Sequence, residues 1–462
     1  MNILIRNGRV VRPESISADD IWIAGEQIRA VEEKIDPHGD VRFDQVIDAE
    51  GMYVLPGIID AHTHYLLHSR GTVTADGFYS GSVAGAIGGV TTAIDFANQE
   101  GEKSLLEAAQ ARIDASQREM VIDFGLHQCI FSMQGDMDQQ LQELKAEGIT
   151  AVKIFTTYKP EGYFIGEKGL KELFRSCGRL GMMITAHCED DPLMEEIARK
   201  YEEELHPPRL HPVLRPAEAE YRAVRMLGEL SRETETPLYI VHLSSGRGLE
   251  AVDELRAQGV RLAVETTPHY LMLTNELLTG PEARKYIMTP PLREAKDNEA
   301  LWQGLVQDKI QLVATDHCAF TPEQKLQSDD CRTVLPGIPG TGELLPLIYT
   351  AGVASGRFDI GRMVSLLSET PARLFGMYPR KGRLQAGSDA DLVLFDPGRS
   401  WTIRNDTCRS AAGYTPYDGF QAAGMPVLTM LRGRIIAREG EFFGSRGGGQ
   451  FVQAGPSELF QD

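Results

Sequence analysis

No run in this chain of 462 residues approaches the roughly 18 consecutive apolar residues that a membrane-spanning helix needs, so no membrane segment is expected. Closely spaced cysteines are missing too. The six present (Cys129, Cys177, Cys188, Cys318, Cys331 and Cys408) form no C-x-x-C pair, and a chain this long can build a core without disulfides. Reduced thiols in a cytoplasmic protein are the expectation. The N-terminal MNILIRNGRVV lacks the long apolar core of a signal peptide. Positive charge is scarce: 47 Lys+Arg stand against 66 Asp+Glu, a formal net charge of -19. No lysine/arginine run or aromatic-basic stripe offsets that balance, which disfavours nucleic acid as a partner. The dinucleotide fingerprint is absent as well, because SVAGAIGGV (82–90) places Gly85, Gly88 and Gly89 without the G-x-G-x-x-G spacing.

What the chain does have is alternation. Between Leu55 and Gly376, eight short apolar runs predict strands at 58–60, 92–96, 121–124, 151–155, 182–185, 238–241, 261–264 and 310–314. Amphipathic segments lie between them, including SLLEAAQARIDASQR from Ser104 and PAEAEYRAVRMLGELSRE from Pro216. In the second, proline suits the first helical turn, and Ala219, Arg222-Ala223 and Met226-Leu227 recur at helical spacing. This pattern predicts an α/β fold, a (β/α)8 TIM-like barrel with long loops; an open doubly wound sheet is the runner-up. The two ends read differently, as short strands between glycine turns. They predict one small composite β-sandwich domain, with residues 1–54 and 377–462 contributing from either side of a catalytic barrel at 55–376. The SRGGGQ tail (445–450) is expected to be mobile.

His62-Thr63-His64 directly follows the apolar Gly57-Ile58-Ile59-Asp60-Ala61. Two residues apart on an extended segment, both imidazoles point the same way and can clasp one metal. His187, His242 and Asp316 each follow another apolar run, at the strand ends where barrel active sites form. Lys153 lies inside AVKIF, where an ammonium must be paired, neutralised or chemically used. Four imidazoles and one carboxylate supply little negative charge for two divalent ions. A carbamate on Lys153, formed from carbon dioxide, adds one charge and two bridging oxygens. His62, His64 and Asp316 are therefore assigned to one ion and His187 and His242 to the other, with carboxylated Lys153 and a hydroxide between them. Zinc is the default, because it accepts mixed N/O ligands and brings bound water toward a neutral pKa; manganese, iron, cobalt and nickel are alternatives. A mononuclear site is the main structural alternative.

GIIDAHTH, GGVTTAIDF, AVKIFTTYK, AHCED, YIVHLSSGRGLE, VETTPHYLMLT, TPPLR, VATDHCAF and KGRLQAGSDADLVLFDP occur in that order. Over nearly its whole length the chain resembles the hydantoinase/dihydropyrimidinase branch of the cyclic amidohydrolases. The resemblance implies a binuclear barrel with the same six ligands and a carboxylated Lys153. It places a substrate-side tyrosine on Tyr158 and substrate-binding groups on Thr289 and Pro336. It also implies a cytoplasmic homotetramer or homodimer acting on a small cyclic ureide or amide. Thr289 stands where the family usually has serine, and Pro336 where it has asparagine, which a backbone carbonyl can replace. His68 and Arg70 occupy a loop that is usually more acidic, so the pocket shape is expected to differ. Leu66 stands where dihydroorotases commonly carry arginine, which disfavours dihydroorotate. Allantoinase stays open.

The implied reaction opens a hydantoin or dihydropyrimidine ring to an N-carbamoyl amino acid through a metal-bridging hydroxide. Tyr158 steadies the carbonyl oxygen, and Asp316 carries a proton from water to the departing nitrogen. Other residues are read more plainly. His317 either supports the site from behind the ligands or is structural, His269 is an outer hydrogen-bonding residue, and His127, His206 and His211 belong to loops or the surface. Cys188 and Cys318 are weak ligand candidates. Leu66, Leu67, Phe155, Tyr65 and Phe164 offer an apolar wall. The competing classes are a non-catalytic scaffold relative, which would lose ligands, and a one-metal deaminase, which would not need Lys153.

Overall fold

The computed structural model describes residues 1–36, 42–202 and 205–460. Eight strands run parallel in chain order: β1 (Ile58–Asp60), β2 (Val90–Ala97), β3 (Asp123–Cys129), β4 (Ala151–Phe155), β5 (Met183–His187), β6 (Leu238–Ile240), β7 (Leu262–Thr266) and β8 (Leu312–Val313). All their residues are buried except Phe155, which is half-buried, as befits strands covered on both faces. The first and last strands meet just beyond their ends. There the His64 N–H donates to the His317 carbonyl at 2.8 Å, and Thr63 bridges His317 in parallel. Below that point the Asp60 carboxylate accepts from the Thr315 N–H at 3.0 Å and hydroxyl at 2.7 Å. These bonds close the TIM-like barrel.

The eight expected strands are all present, β1 and β4 with the expected bounds and the other six with shifted ones. β3 starts only at Asp123, after Val121 and Ile122, and extends through His127 to Cys129. β5 and β7 likewise run on through His187 and through Glu265-Thr266. Apolar runs stop where polar residues begin, whereas a barrel strand carries functional polar groups at its far end.

The helices form where expected, with one correction. In Leu105–Glu119, the Ser104 hydroxyl accepts the Glu107 N–H at 3.2 Å while the Glu107 carboxylate takes the Ser104 N–H at 2.8 Å, a reciprocal cap. In Ala217–Thr234, however, Pro216 is the residue before the first turn, and the buried face is Ala219, Ala223 and Leu227. Met226 is turned outward, because the buried stripe is narrower than the apolar one.

Two further sheets flank the barrel. One has four strands: Gln27–Glu32, Asp20–Ala24, Asn2–Arg6 and Gln45–Asp48, in that spatial order. The other has seven and mixes both chain ends. Tyr53–Pro56, Arg9–Arg12 and Ser15–Ser17 continue the sheet of Leu392–Thr402, Gln421–Leu431, Arg434–Arg438 and Glu441–Phe442. Ile3, Ile21 and Ile23 of the first share a core with Val10, Leu392, Leu394 and Met430 of the second, so the sheets pack as a sandwich.

Residues 445–450 are fixed, contrary to expectation. Arg432 donates to the Gly448 carbonyl at 2.6 Å and Gln117 to that of Gly449 at 2.6 Å. The Gln450 carbonyl accepts from Phe124 N–H at 2.9 Å, and the Val452 N–H donates to the Phe124 carbonyl at 2.8 Å. The glycines permit this close approach, since a Cβ on Gly449 would meet the Ile122 carbonyl at 1.9 Å.

Candidate metal centre

One cavity of about 110 Å³ at the mouth of the barrel is lined by all nine residues singled out in the sequence: His62, His64, Lys153, Tyr158, His187, His242, Thr289, Asp316 and Pro336. His62 and His64 leave the end of β1, Lys153 is the central residue of β4, and His187 ends β5. His242 and Asp316 follow β6 and β8 with φ of +40° and +49°, and Tyr158 has φ of +69°. Such left-handed backbone costs energy for a non-glycine residue and persists where the surroundings over-determine it, commonly at functional sites.

The side-chain nitrogens and oxygens gather in two groups. His62 Nε2 and His64 Nε2 are 3.1 Å apart, and Asp316 Oδ1 lies 3.2 Å from each. His187 Nδ1 and His242 Nε2 are 3.0 Å apart. The neighbouring carboxylates decide what these atoms offer. Glu265 Oε1 lies 2.7 Å from His62 Nδ1 and takes its hydrogen, which leaves a lone pair on Nε2. Glu189 Oε2 lies 2.7 Å from His187 Nε2 and leaves the lone pair on Nδ1. Burial pushes His62, His187 and His242 below the ordinary histidine value, so these three imidazoles are neutral. Asp316 is held well below the usual carboxylate range against its burial, chiefly by His62 and by the hydrogen bond from His64. The His62 and His187 lone pairs, the neighbouring His64 and His242 nitrogens and the ionised Asp316 carboxylate are thus packed within 3.0–3.2 Å of one another, pair by pair. That donor set fits divalent ions.

Lys153 is buried between the groups, and its Nζ has no hydrogen-bond or ion-pair partner among the described residues. Its nearest aromatic faces are Phe96 and Phe155, at 5.0 and 5.3 Å. Burial lowers its pKa, with Asp316 opposing, which makes the reactive free amine easier to reach than in an exposed lysine. Burial keeps the Tyr158 hydroxyl protonated, with the Arg215 guanidinium 5.4 Å above the ring opposing. Burial likewise pushes the Cys188 and Cys318 thiols up, against thiolate ligation.

Other residues fall differently from their sequence reading. Glu189, Glu265 and Arg215, which pairs with Glu189 at 2.5 Å, were not foreseen. A signal existed: Glu265 sits in the apolar LAVET and Glu189 two residues after His187. His127, His206 and His211 are all buried rather than at the surface, and of the three His206 alone lies in a loop. His127 lies within β3, and His211 Nε2 donates to the Met288 carbonyl at 2.9 Å. His269 is buried, but neither ring nitrogen has a partner, so its expected hydrogen bonds are not made among the described residues. His317 is structural, one of the two roles expected, joining Asp76 at 3.1 Å and accepting the Gly340 N–H at 3.1 Å. Of the expected apolar wall, Leu67 and Phe155 line the cavity. Tyr65 is instead fully buried, donating to Thr341 at 3.3 Å, and Leu66 is exposed.

A barrel of this topology with an imidazole-rich mouth defines a class, and a family profile agrees: residues 53–436 match the amidohydrolase family. The chain belongs to that family and is a hydrolytic enzyme. Within it, the chain is similar to the D-hydantoinase of Ralstonia pickettii, 34% identical over 458 residues, 98% of this chain and 99% of the relative. The D-phenylhydantoinase of Escherichia coli O9:H4 is 34% identical over 461 residues, 99% of each. The crystal structure of dihydropyrimidinase from Brevibacillus agri NCHU1002 matches with a TM-score of 0.95 at 32% identity, covering 99% of each chain.

Proposed function

We propose that the protein opens cyclic ureides or amides of the hydantoin or dihydropyrimidine type by hydrolysis, giving N-carbamoyl amino acids. The observation that carries this reading is the convergence of neutral imidazoles, an ionised carboxylate and an unpaired buried lysine on one cavity. It occurs in a chain that aligns end to end with hydantoinases. His62, His64 and Asp316 would hold one divalent ion and His187 and His242 a second, with Lys153 between them as its carbamate. The free Lys153 amine adds to carbon dioxide and releases a proton, and the carbamate then supplies two oxygens and one negative charge. When bound, the ions (zinc first, with manganese, iron, cobalt or nickel as alternatives) supply Lewis acidity that makes water nucleophilic and polarises the ring carbonyl.

The chain's own residues do the rest. Tyr158, protonated and aimed into the cavity, donates to the carbonyl oxygen as negative charge develops there. Asp316 accepts the proton lost by the attacking water and returns it to the departing ring nitrogen, so the ring opens without a free ion. Thr289 and the carbonyl of Pro336 hold the ureide edge. Glu265 and Glu189 fix the tautomers of His62 and His187. A cytoplasmic homotetramer or homodimer is the assembly we assign. The test is turnover of hydantoin, 5-phenylhydantoin, dihydrouracil, allantoin and dihydroorotate by metal-replete protein. Ring opening of hydantoins or dihydrouracil is expected, and activity confined to allantoin or dihydroorotate would refute the assignment.

A further inference from the structure

Lys325 is fully buried, away from the cavity wall, and has no ion-pair partner among the described residues. It ends the short helix Pro322–Lys325, whose first turn is capped by Thr321. Its neighbour Gln324 ties that helix to the loop after β1, donating to Thr72 Oγ1 and the Val73 carbonyl at 2.9 Å each. Three backbone carbonyls surround the Lys325 nitrogen: Ile287 at 2.7 Å, Leu335 at 3.0 Å and Gly337 at 2.6 Å. Three acceptors match the three hydrogens of an ammonium. Burial pushes this lysine down to about 7, with Cys318 opposing, and hydrogen bonds to three carbonyl oxygens favour an ammonium as the donor.

The positions of those carbonyls give the lysine its meaning. Leu335 and Gly337 flank Pro336, which has no N–H with which to anchor itself. Their carbonyls are both engaged by Lys325, whereas that of Pro336 has, among the described residues, only the Cys318 thiol, 3.9 Å away. Ile287 lies two residues before Thr289, and its carbonyl also accepts the Gly337 N–H at 3.0 Å. The approach is close: Gly337 has φ of +137°, and a Cβ there would meet the Cys318 carbonyl at 2.3 Å.

We propose that Lys325 is a positioning residue for substrate recognition, cross-linking segments 287–289 and 335–337 from behind so that Thr289 and Pro336 face the ureide edge together. This rests on the ring-opening reaction proposed above. An apolar residue of similar length would leave the Leu335 and Gly337 carbonyls without the lysine's hydrogens, and would leave the Gly337 N–H to Ile287 carbonyl bond to hold the two segments without it. The reacting groups at the strand ends would stay in place. The defect therefore falls on binding rather than on chemistry.

The experiment compares steady-state kinetics and metal content of wild-type, Lys325→Met and Lys325→Gln proteins, using hydantoin and dihydrouracil as probes. Lys325→Met should raise KM about tenfold with kcat within about threefold of wild type and metal content unchanged. Lys325→Gln, which keeps two N–H donors, should fall between the two. Wild-type KM in Lys325→Met overturns the proposal, as does a fall in kcat that tracks the folded fraction at constant KM. If Lys325→Met does not fold, Lys325→Gln carries the test: KM raised about threefold supports positioning, and unchanged KM overturns it. Wild-type protein that opens neither ring would sink the parent reaction instead, an outcome distinct from a normal wild type with an indifferent lysine variant.

Discussion

Lys153, at the mouth of the barrel, and Lys381, at its floor, are 1% and 2% exposed, yet their surroundings are opposite. Lys381 Nζ lies 2.6 Å from Asp123, 2.9 Å from Asp389 and 2.5 Å from Asp391, and Arg432 joins Asp123 from another side. By geometry alone those three carboxylates could hold a metal, as His62, His64 and Asp316 could. The difference is that the floor already contains its cations. At the mouth, imidazole lone pairs meet with an unpaired lysine, and no counter-charge from the chain completes the set among the described residues. The floor is a closed ionic clamp that ties β3 to the C-terminal sheet. The mouth is an open valence.

Replacing Lys153 with alanine should break the mouth most severely. We expect kcat/KM to fall by about a thousandfold or more and bound metal to drop, with short carboxylic acids restoring part of the activity. Full metal occupancy and normal turnover in that variant would end the comparison. Lys381→Met should instead cost about 3–5 kcal/mol of stability, since it strands buried Asp391 and leaves Asp123 and Asp389 to Arg432 and Arg380. Denaturant unfolding should register this while activity per folded molecule persists. Tyr158→Phe tests the mouth without touching the ligands: metal content unchanged, and kcat lower by about a hundredfold.

Mild acid should weaken the fold. Burial holds His62, His127, His187, His211, His242 and His269 below their ordinary value of 6.5, so the unfolded chain binds more protons as pH falls through that value. Their contribution to stability is complete above that pH and is lost progressively as pH falls toward their folded-state values. Between pH 7.5 and 6.5 these six rings should lower the unfolding free energy by about 2 kcal/mol, partly offset by Glu265 and Glu343, whose buried carboxyls are raised to about 7 and take up protons in the fold; a rising profile would contradict the burial of the rings. Glu265→Gln is the mildest change, weakening metal binding about tenfold in a competitive chelator titration.

Much of this was legible in the sequence because barrel strands are buried on both faces and so appear as apolar runs. The first and fourth, Ile58–Asp60 and Ala151–Phe155, were readable to the residue. The candidate ligands were legible for a related reason, since each interrupts or follows such a run. What escaped was pairing across the chain. Glu265 meets His62 from 203 positions away, and Lys325 reaches Ile287 across 38. No local periodicity encodes such bonds. His127 was misread because a polar residue inside a strand looks like the start of a loop, and the 445–450 tail because its glycines suggest freedom where they permit close contact. The site also shows what a polar residue in an apolar run signifies: Glu265 in LAVET was as informative as Lys153 in AVKIF.

The seven-stranded sheet also carries a consequence for how the molecule is made. Tyr53–Pro56 pairs with Leu392–Phe395, and Asp123 awaits Lys381 and Arg432, so the barrel's foundations are laid early and sealed late. On the ribosome, the candidate site residues, His62 to Asp316, emerge before Lys381 and Arg432, which clamp the floor. Nascent barrels must therefore persist with an unsealed base, and chains stopped short of the final sheet would carry a nearly complete set of ligands on a scaffold unable to keep it.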